Sequence, residues 1–125
     1  MLDRLFSSGS LPALETMLTY ASLRQRVIAA NIANVDTWGY REQDLPEGEF
    51  RRALEGAFLG QGLPERYDPR EAAAAGVLKP GGNNVDLEGE MAKMVQNTAL
   101  HSTAAALLAQ QFSLLREAVA GHVLA

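Results

Sequence analysis

The only histidines of the chain, His101 and His122, are the first candidates for acid–base or metal chemistry. Neither has a second ligand at a spacing such as His-x-x-x-His, and His101 falls on an otherwise apolar helical stripe. Both therefore read as packed or exposed side chains. Glu42, Asp44, Glu47 and Glu49 place four carboxylates close together. Paired carboxylates can exchange protons with a substrate or hold calcium. The EF-hand ligand spacing is missing, however, and the cluster reads as a solvated loop face. The chain has no cysteine, which excludes a disulfide scaffold, a cysteine-ligated metal and a cysteine nucleophile. No Gly-x-Ser-x-Gly, Walker A or Gly-x-Gly-x-x-Gly pattern occurs, and Gly-Gln-Gly at 60–62 is a turn signal rather than a phosphate cradle. The expectation is a chain without enzyme activity, metal or cofactor.

The densest set of hydrogen-bonding side chains is "NIANVDTWGY", residues 31–40. Asn31 and Asn34 lie three apart, on one face near the end of a helical pattern. Their amides carry both donors and acceptors, so they can satisfy the unpaired carbonyls of a helix end or a neighbouring backbone. Asp36 and Thr37 can build a local turn, and Gly39 can take positive φ. Trp38 and Tyr40 could stack a base or sugar; packing into a neighbouring helix or subunit is the simpler use.

Two long helices must position this stretch. From Leu11 to Val35 the apolar residues Leu11, Leu14, Leu18, Ala21, Ile28, Ile32 and Val35 keep a 3–4 spacing that only Gln25 interrupts. That pattern predicts a helix of roughly 23 residues, about 35 Å long. Ser10 is a candidate N-cap, and Pro12 sits where a first turn tolerates it. A second stripe runs Leu87, Met91, Met94, Thr98, His101, Ala105, Leu108, Phe112, Leu115, Val119. It starts after a turn at Pro80–Gly82, with Asn84 or Asp86 as N-cap, and Glu88 and Glu90 in its first turn. Between the helices, the stretch from Gly39 to Gly82 holds eight of the eleven glycines and four of the five prolines. There, Phe50, Leu54 and Phe58 predict a short helix near 49–59, a second is plausible over Pro69–Ala75, and the rest reads as loop.

The predicted fold is all-α, with long N- and C-terminal helices paired as an antiparallel, coiled-coil-like hairpin around a glycine- and proline-rich middle. It forms one structural unit in three parts: residues 1–40, 41–82 and 83–125. A hairpin buries one stripe per helix, and the middle offers little extra core, so the chain needs another surface and reads as an oligomer or filament subunit with a partly disordered free monomer. The net charge of −4 argues against general nucleic-acid binding. No apolar run is long enough to span a bilayer, and the N-terminal stretch lacks the continuous apolar region of a cleavable signal peptide.

The stretch "AANIANVDTWGY" closely resembles the signature of the flagellar axial proteins, in which Asn-Ile-Ala-Asn is followed after two residues by Thr-Pro-Gly-Tyr. Asn31, Ile32, Ala33, Asn34, Thr37, Gly39 and Tyr40 match it, and Trp38 stands where the family usually has proline. "REQDLPEGEFRRALEG" and "GGNNVDLEGEMAKMVQNTALHSTAAALLAQQFSLLREAV" resemble segments of the rod members of that family, closest to the proximal rod. The second opens on Gly82, Asn83, Asn84, Val85 and Asp86, with Gly89 where a charged residue is usual. The resemblance covers about two-thirds of the chain and leaves residues 59–79 unmatched.

It implies a structural subunit of the proximal rod of the bacterial flagellar basal body, the periplasmic drive shaft that carries torque from motor to hook. Implied partners are copies of itself, other rod proteins, the membrane-ring and rod-adaptor proteins at the rod base, and the type III export apparatus. The resemblance also implies export without a cleaved signal peptide. The asparagine signature would then anchor the chain where it leaves the helical layer of the tube, its amides satisfying backbone groups in a crowded interface. The alternative is a soluble helical adaptor or chaperone-like protein of the flagellar export system.

Overall fold

The computed structural model describes residues 9–61, 67–73 and 75–124, with side chains through residue 121. Residues 1–8, Gly62 of the predicted turn and the side chain of His122 lie outside the described residues. In chain order come α1 (Ser10–Ala33), β1 (Gln43–Asp44), α2 (Glu47–Phe58), β2 (Arg70–Glu71) and α3 (Leu87–Leu124). Among the described residues no helix is long and apolar enough to cross a membrane.

α1 and α3 run antiparallel. Asn31 near the end of α1 meets Glu90 near the start of α3, and Asn97, two turns further along α3, reaches Ala21 and Gln25. The stripe predicted for α1 turns inward: Leu11, Leu14, Ala21 and Ile28 are buried, and Leu18 and Ile32 half-buried. Ser10 is the first helical residue rather than the cap. That place belongs to Gly9, whose φ of 87° admits glycine readily and whose N–H donates to the Phe58 carbonyl at 3.2 Å. Pro12 falls within the first turn, where no intrahelical bond is lost.

On α3 the apolar pattern and the buried seam do not coincide. Glu90, Asn97 and Ala104 are buried at seven-residue intervals and Gln111 continues the row. Met94, Leu108 and Leu115 flank that row half-buried, whereas Met91 and Phe112 are 55% and 44% exposed. The side chains that settle against α1 are thus largely polar or small. Part of the apolar stripe faces out.

The middle segment contributes more core than its composition suggests. Tyr20, Leu45 and Tyr67 form a buried cluster, with Leu23, Val27, Phe50 and Ala53 packed round it. The Tyr20 ring stacks on Phe50 at 4.0 Å between centroids and meets Tyr67 edge-on at 5.6 Å. α2 presses Phe50 onto α1, while Phe58 at its far end faces out. Where a second short helix was expected over Pro69–Ala75, Arg70–Glu71 is extended and pairs antiparallel with Gln43–Asp44. The Ala72 N–H extends the pairing by donating to the Glu42 carbonyl at 2.9 Å. These backbone groups find partners across the chain instead of within a helical turn.

The asparagine corner as candidate functional site

The two asparagine motifs, some fifty residues apart in sequence, close on one another where α1 ends and α3 begins. Asn31 is fully buried (0% exposed) and uses its whole hydrogen-bonding capacity. Its Nδ2 donates to the Gln43 carbonyl at 2.7 Å and to Glu90 Oε2 at 2.9 Å. Its Oδ1 accepts from the Tyr40 hydroxyl at 2.9 Å and the Gln43 N–H at 3.0 Å. One side chain therefore ties α1, the signature turn, β1 and α3 together.

Asn34 caps α1 from within. Its Nδ2 donates to the Ala30 carbonyl at 2.8 Å, and its Oδ1 accepts from the Thr37 hydroxyl at 3.0 Å. Asn83 answers from the other motif, its Nδ2 donating to the carbonyls of Asn34 and Thr37 at 2.7 and 2.8 Å. Its Oδ1 accepts from Val85 N–H at 2.8 Å, and Val85 is buried. Asn84 Oδ1 accepts from Glu42 N–H at 2.6 Å. Gly39 takes φ of 73°, as its place after the turn predicts, and donates to the Gly81 carbonyl at 2.8 Å. Asp86 precedes α3 at the N-cap position, and its carboxylate occupies the space a Cβ at Gly89 would need, 2.6 Å away. Ile32 is half-buried, and Ala33 and Thr37 are exposed. Trp38 lies 85% exposed, with one ring edge against Gly81.

Beneath the corner is a charge cluster that the sequence pattern did not reveal. Glu42 is only 2% exposed and Glu90 is fully buried, which corrects the reading of the acidic run as a solvated face. Lys93 Nζ donates to Glu90 Oε1 at 2.8 Å and approaches Glu42 Oε2 at 3.6 Å and Asp44 Oδ2 at 3.8 Å. Arg24 grips Asp44 with two bonds of 3.0 Å. Glu49 pairs at the surface with Arg70, and Glu47 is exposed. Three carboxylates thus share two cations on α1, β1 and α3.

The titration directions follow from this balance. Burial pushes the Glu42 carboxyl above its usual 4.5, and the hydrogen bond to Glu90 adds to the rise. Asp86 N–H and Lys93 pull it part of the way back. Burial would also raise Asp44, but the Arg24 bond, the Leu45 N–H and the two cations outweigh it and hold the group below 3.8. Tyr40 is pushed up by burial and by the charges of Glu90 and Glu42. A carboxyl whose folded pKa lies above its unfolded one gives stability that is complete below the unfolded value and fades as pH rises through the folded value. Asp44 works the other way, losing its contribution as pH falls below 3.8. Glu42→Gln, which fixes the neutral form, is therefore expected to flatten the loss of stability above pH 4.5. Urea midpoints of the wild-type and variant chains at pH 4.5 and pH 8 measure this, and an unchanged difference between the two pH values would contradict it.

Nothing in this arrangement supplies an activated nucleophile or an open acid–base pair, because each buried polar group is turned on another part of the same chain. Among the described residues no three His, Cys, Asp or Glu side chains form a metal-binding group, and His101 lies exposed on α3. What the corner does chemically is hold a bend. It fixes the exit of α1, the entry of α3 and the chain between them in one orientation.

The comparisons with known proteins agree with these motifs. Residues 15–41, which contain the signature, match the family described as flagella basal body rod protein. The chain is 32% identical over 113 residues to the flagellar basal body rod protein FlgB of Borrelia hermsii, covering 76% of this chain and 84% of that one. It is 28% identical over 123 residues to the same-named protein of Bacillus subtilis strain 168, covering 91% and 95%. The Aeromonas hydrophila protein of that name is 30% identical over 119 residues, covering 84% and 88%. With motif and overall similarity in agreement along most of its length, the chain belongs to the FlgB family of flagellar basal body rod proteins.

Proposed function

We propose that the chain is a structural subunit of the proximal part of the flagellar rod, carrying torque as a packed element and performing no catalysis. The observation that supports this reading best is the asparagine corner. A torque-bearing subunit must not flex where its helices join, and here the four bonds of the Asn31 side chain reach three other segments, the signature turn, β1 and α3. Close-packed, fully hydrogen-bonded joints deform little under load. On this reading the signature acts first within the subunit, presetting the angle at which α1 and α3 meet their neighbours. The exposed part of the α3 stripe, Met91 and Phe112 included, then supplies surface for contacts with copies of this chain and with other rod proteins. Placement in the periplasm, passage through the type III export apparatus without a cleaved signal peptide, and contact with adaptor and ring proteins at the rod base complete the proposal.

Deleting the gene from its own bacterium tests it. The expected result is complete loss of swimming and cell envelopes with ring structures but no rod in electron cryotomograms. A tagged full-length chain supplied in trans should restore both and copurify with hook–basal bodies. Deletion cells that build rods, or a tagged chain found only in the cytosol with export components, would overturn the reading, the second result in favour of an export adaptor.

A further inference from the structure

Tyr20, Leu23 and Val27 turn one side of α1 toward the middle segment. Round the other side, an open groove of about 500 Å³ runs between α1 and α3. It is lined by small side chains, Ala21, Ser22 and Ala29 from α1 and Thr98 from α3, together with Arg26 and His101. Arg26 has no ion pair among the described residues. Asn97, 2% exposed, also lines the groove. Its Nδ2 is bonded to Ala21 and Gln25, but its Oδ1 is buried without a hydrogen-bond partner among the described residues.

The same chain carries a surface of matching chemistry. Leu107, Gln110, Leu114 and Glu117 fall at i, i+3, i+7 and i+10 on α3 and so form one heptad face. The face is open, with Leu107 and Leu114 44% and 53% exposed. It lies in the second half of a 38-residue helix whose partner α1 has 24 residues. We infer that the groove between α1 and α3 receives the Leu107–Glu117 face of α3 from a second copy of this chain. The two leucines cover the small side chains of the groove, and Glu117 pairs with Arg26. The donor helix cannot be the chain's own, because Leu114 sits seventeen residues beyond Asn97 on one straight helix, about 25 Å away. The inference rests on the rod reading and assigns one of its subunit contacts.

Because the chain has no cysteine, paired single-cysteine variants report the contact directly. Full-length Ser22→Cys and Leu114→Cys proteins are mixed at high concentration and mildly oxidised, with Ser22→Cys plus Arg52→Cys as the control, since exposed Arg52 lies on α2. Seating the helix raises the effective concentration of the two thiols, so disulfide-linked heterodimer is expected at least about tenfold above the control. Arg26→Glu in the groove partner should abolish the excess, and Glu117→Arg in the other partner should restore it. No excess over the control overturns the assignment. If the deletion and copurification experiments still succeed, the rod reading survives that failure. If the crosslink and its charge-swap rescue appear but the chain is absent from hook–basal bodies, self-pairing stands and the rod reading falls.

Discussion

Replacing Asn31 with alanine is expected to cost the free chain about 3 kcal/mol or more in unfolding free energy, read as a lower urea midpoint by circular dichroism. The substitution strips partners from the Gln43 N–H and carbonyl, the Tyr40 hydroxyl and the fully buried Glu90 Oε2. An isolated hydrogen bond is worth only about 1 kcal/mol net, but a buried group left without a partner costs about 1–3 kcal/mol, more if charged. Folded domains are stable by only about 5–15 kcal/mol, so one amide carries a large share. Asn31→Asp tests whether amide chemistry rather than size matters. It is nearly isosteric, yet it removes both donors and sets a second carboxylate against Glu90, so it should cost at least as much near neutral pH. Asn34→Ala is the comparison: its bonds lie at the surface and a loss of about 1 kcal/mol is expected. If Asn31→Ala and Asn34→Ala proved equal, the corner would not be the joint described above.

The second large effect belongs to Tyr20→Ala, for which a loss of about 3–5 kcal/mol is expected from large-to-small substitution of a buried aromatic. The ring joins α1 to both Phe50 and Tyr67, so its removal detaches α2 and the 67–71 segment together. The result should be a lower midpoint with the helix content of α1 and α3 mostly kept at low denaturant. Tyr67→Phe separates packing from polarity in the same cluster. The Tyr67 hydroxyl is buried without a partner among the described residues, so losing it should be neutral or stabilising by up to about 1 kcal/mol. A clear destabilisation by Tyr67→Phe would mean that the hydroxyl has a role the structure does not reveal.

The helices were legible in the sequence because long amphipathic repeats are strong signals, and Leu14, Ala21 and Ile28 turn inward as their spacing predicts. The buried seam of α3 was not. Its central residues are Glu90 and Asn97, and a rule that counts apolar side chains passes over them. In this chain, moreover, the apolar side chains of α3 are divided between the seam and the exterior. Glu42 and Asp44 read as solvated in the sequence because nothing local distinguishes a carboxylate that meets Lys93 from one that meets water. The β1–β2 pair is two residues deep, too short for any alternation to show. The asparagine motifs were visible as motifs, but their interlocking was not. Asn83 bonds to Asn34 and Thr37 across almost the whole middle segment, and no local pattern carries that information.

That span also governs when the bend can exist. The bonds that complete the corner join residues 31–42 to residues 83–90, contacts separated by up to 59 positions. Long loops close late in folding, because their entropy is spent before any contact rewards it. A chain still being made, or cut short before residue 83, has α1 and its turn but no Asn83, Asn84 or Glu90 to complete them. The corner therefore acts as a check on completeness: only a chain that has delivered the start of its last helix acquires the fixed joint on which a stiff assembly depends.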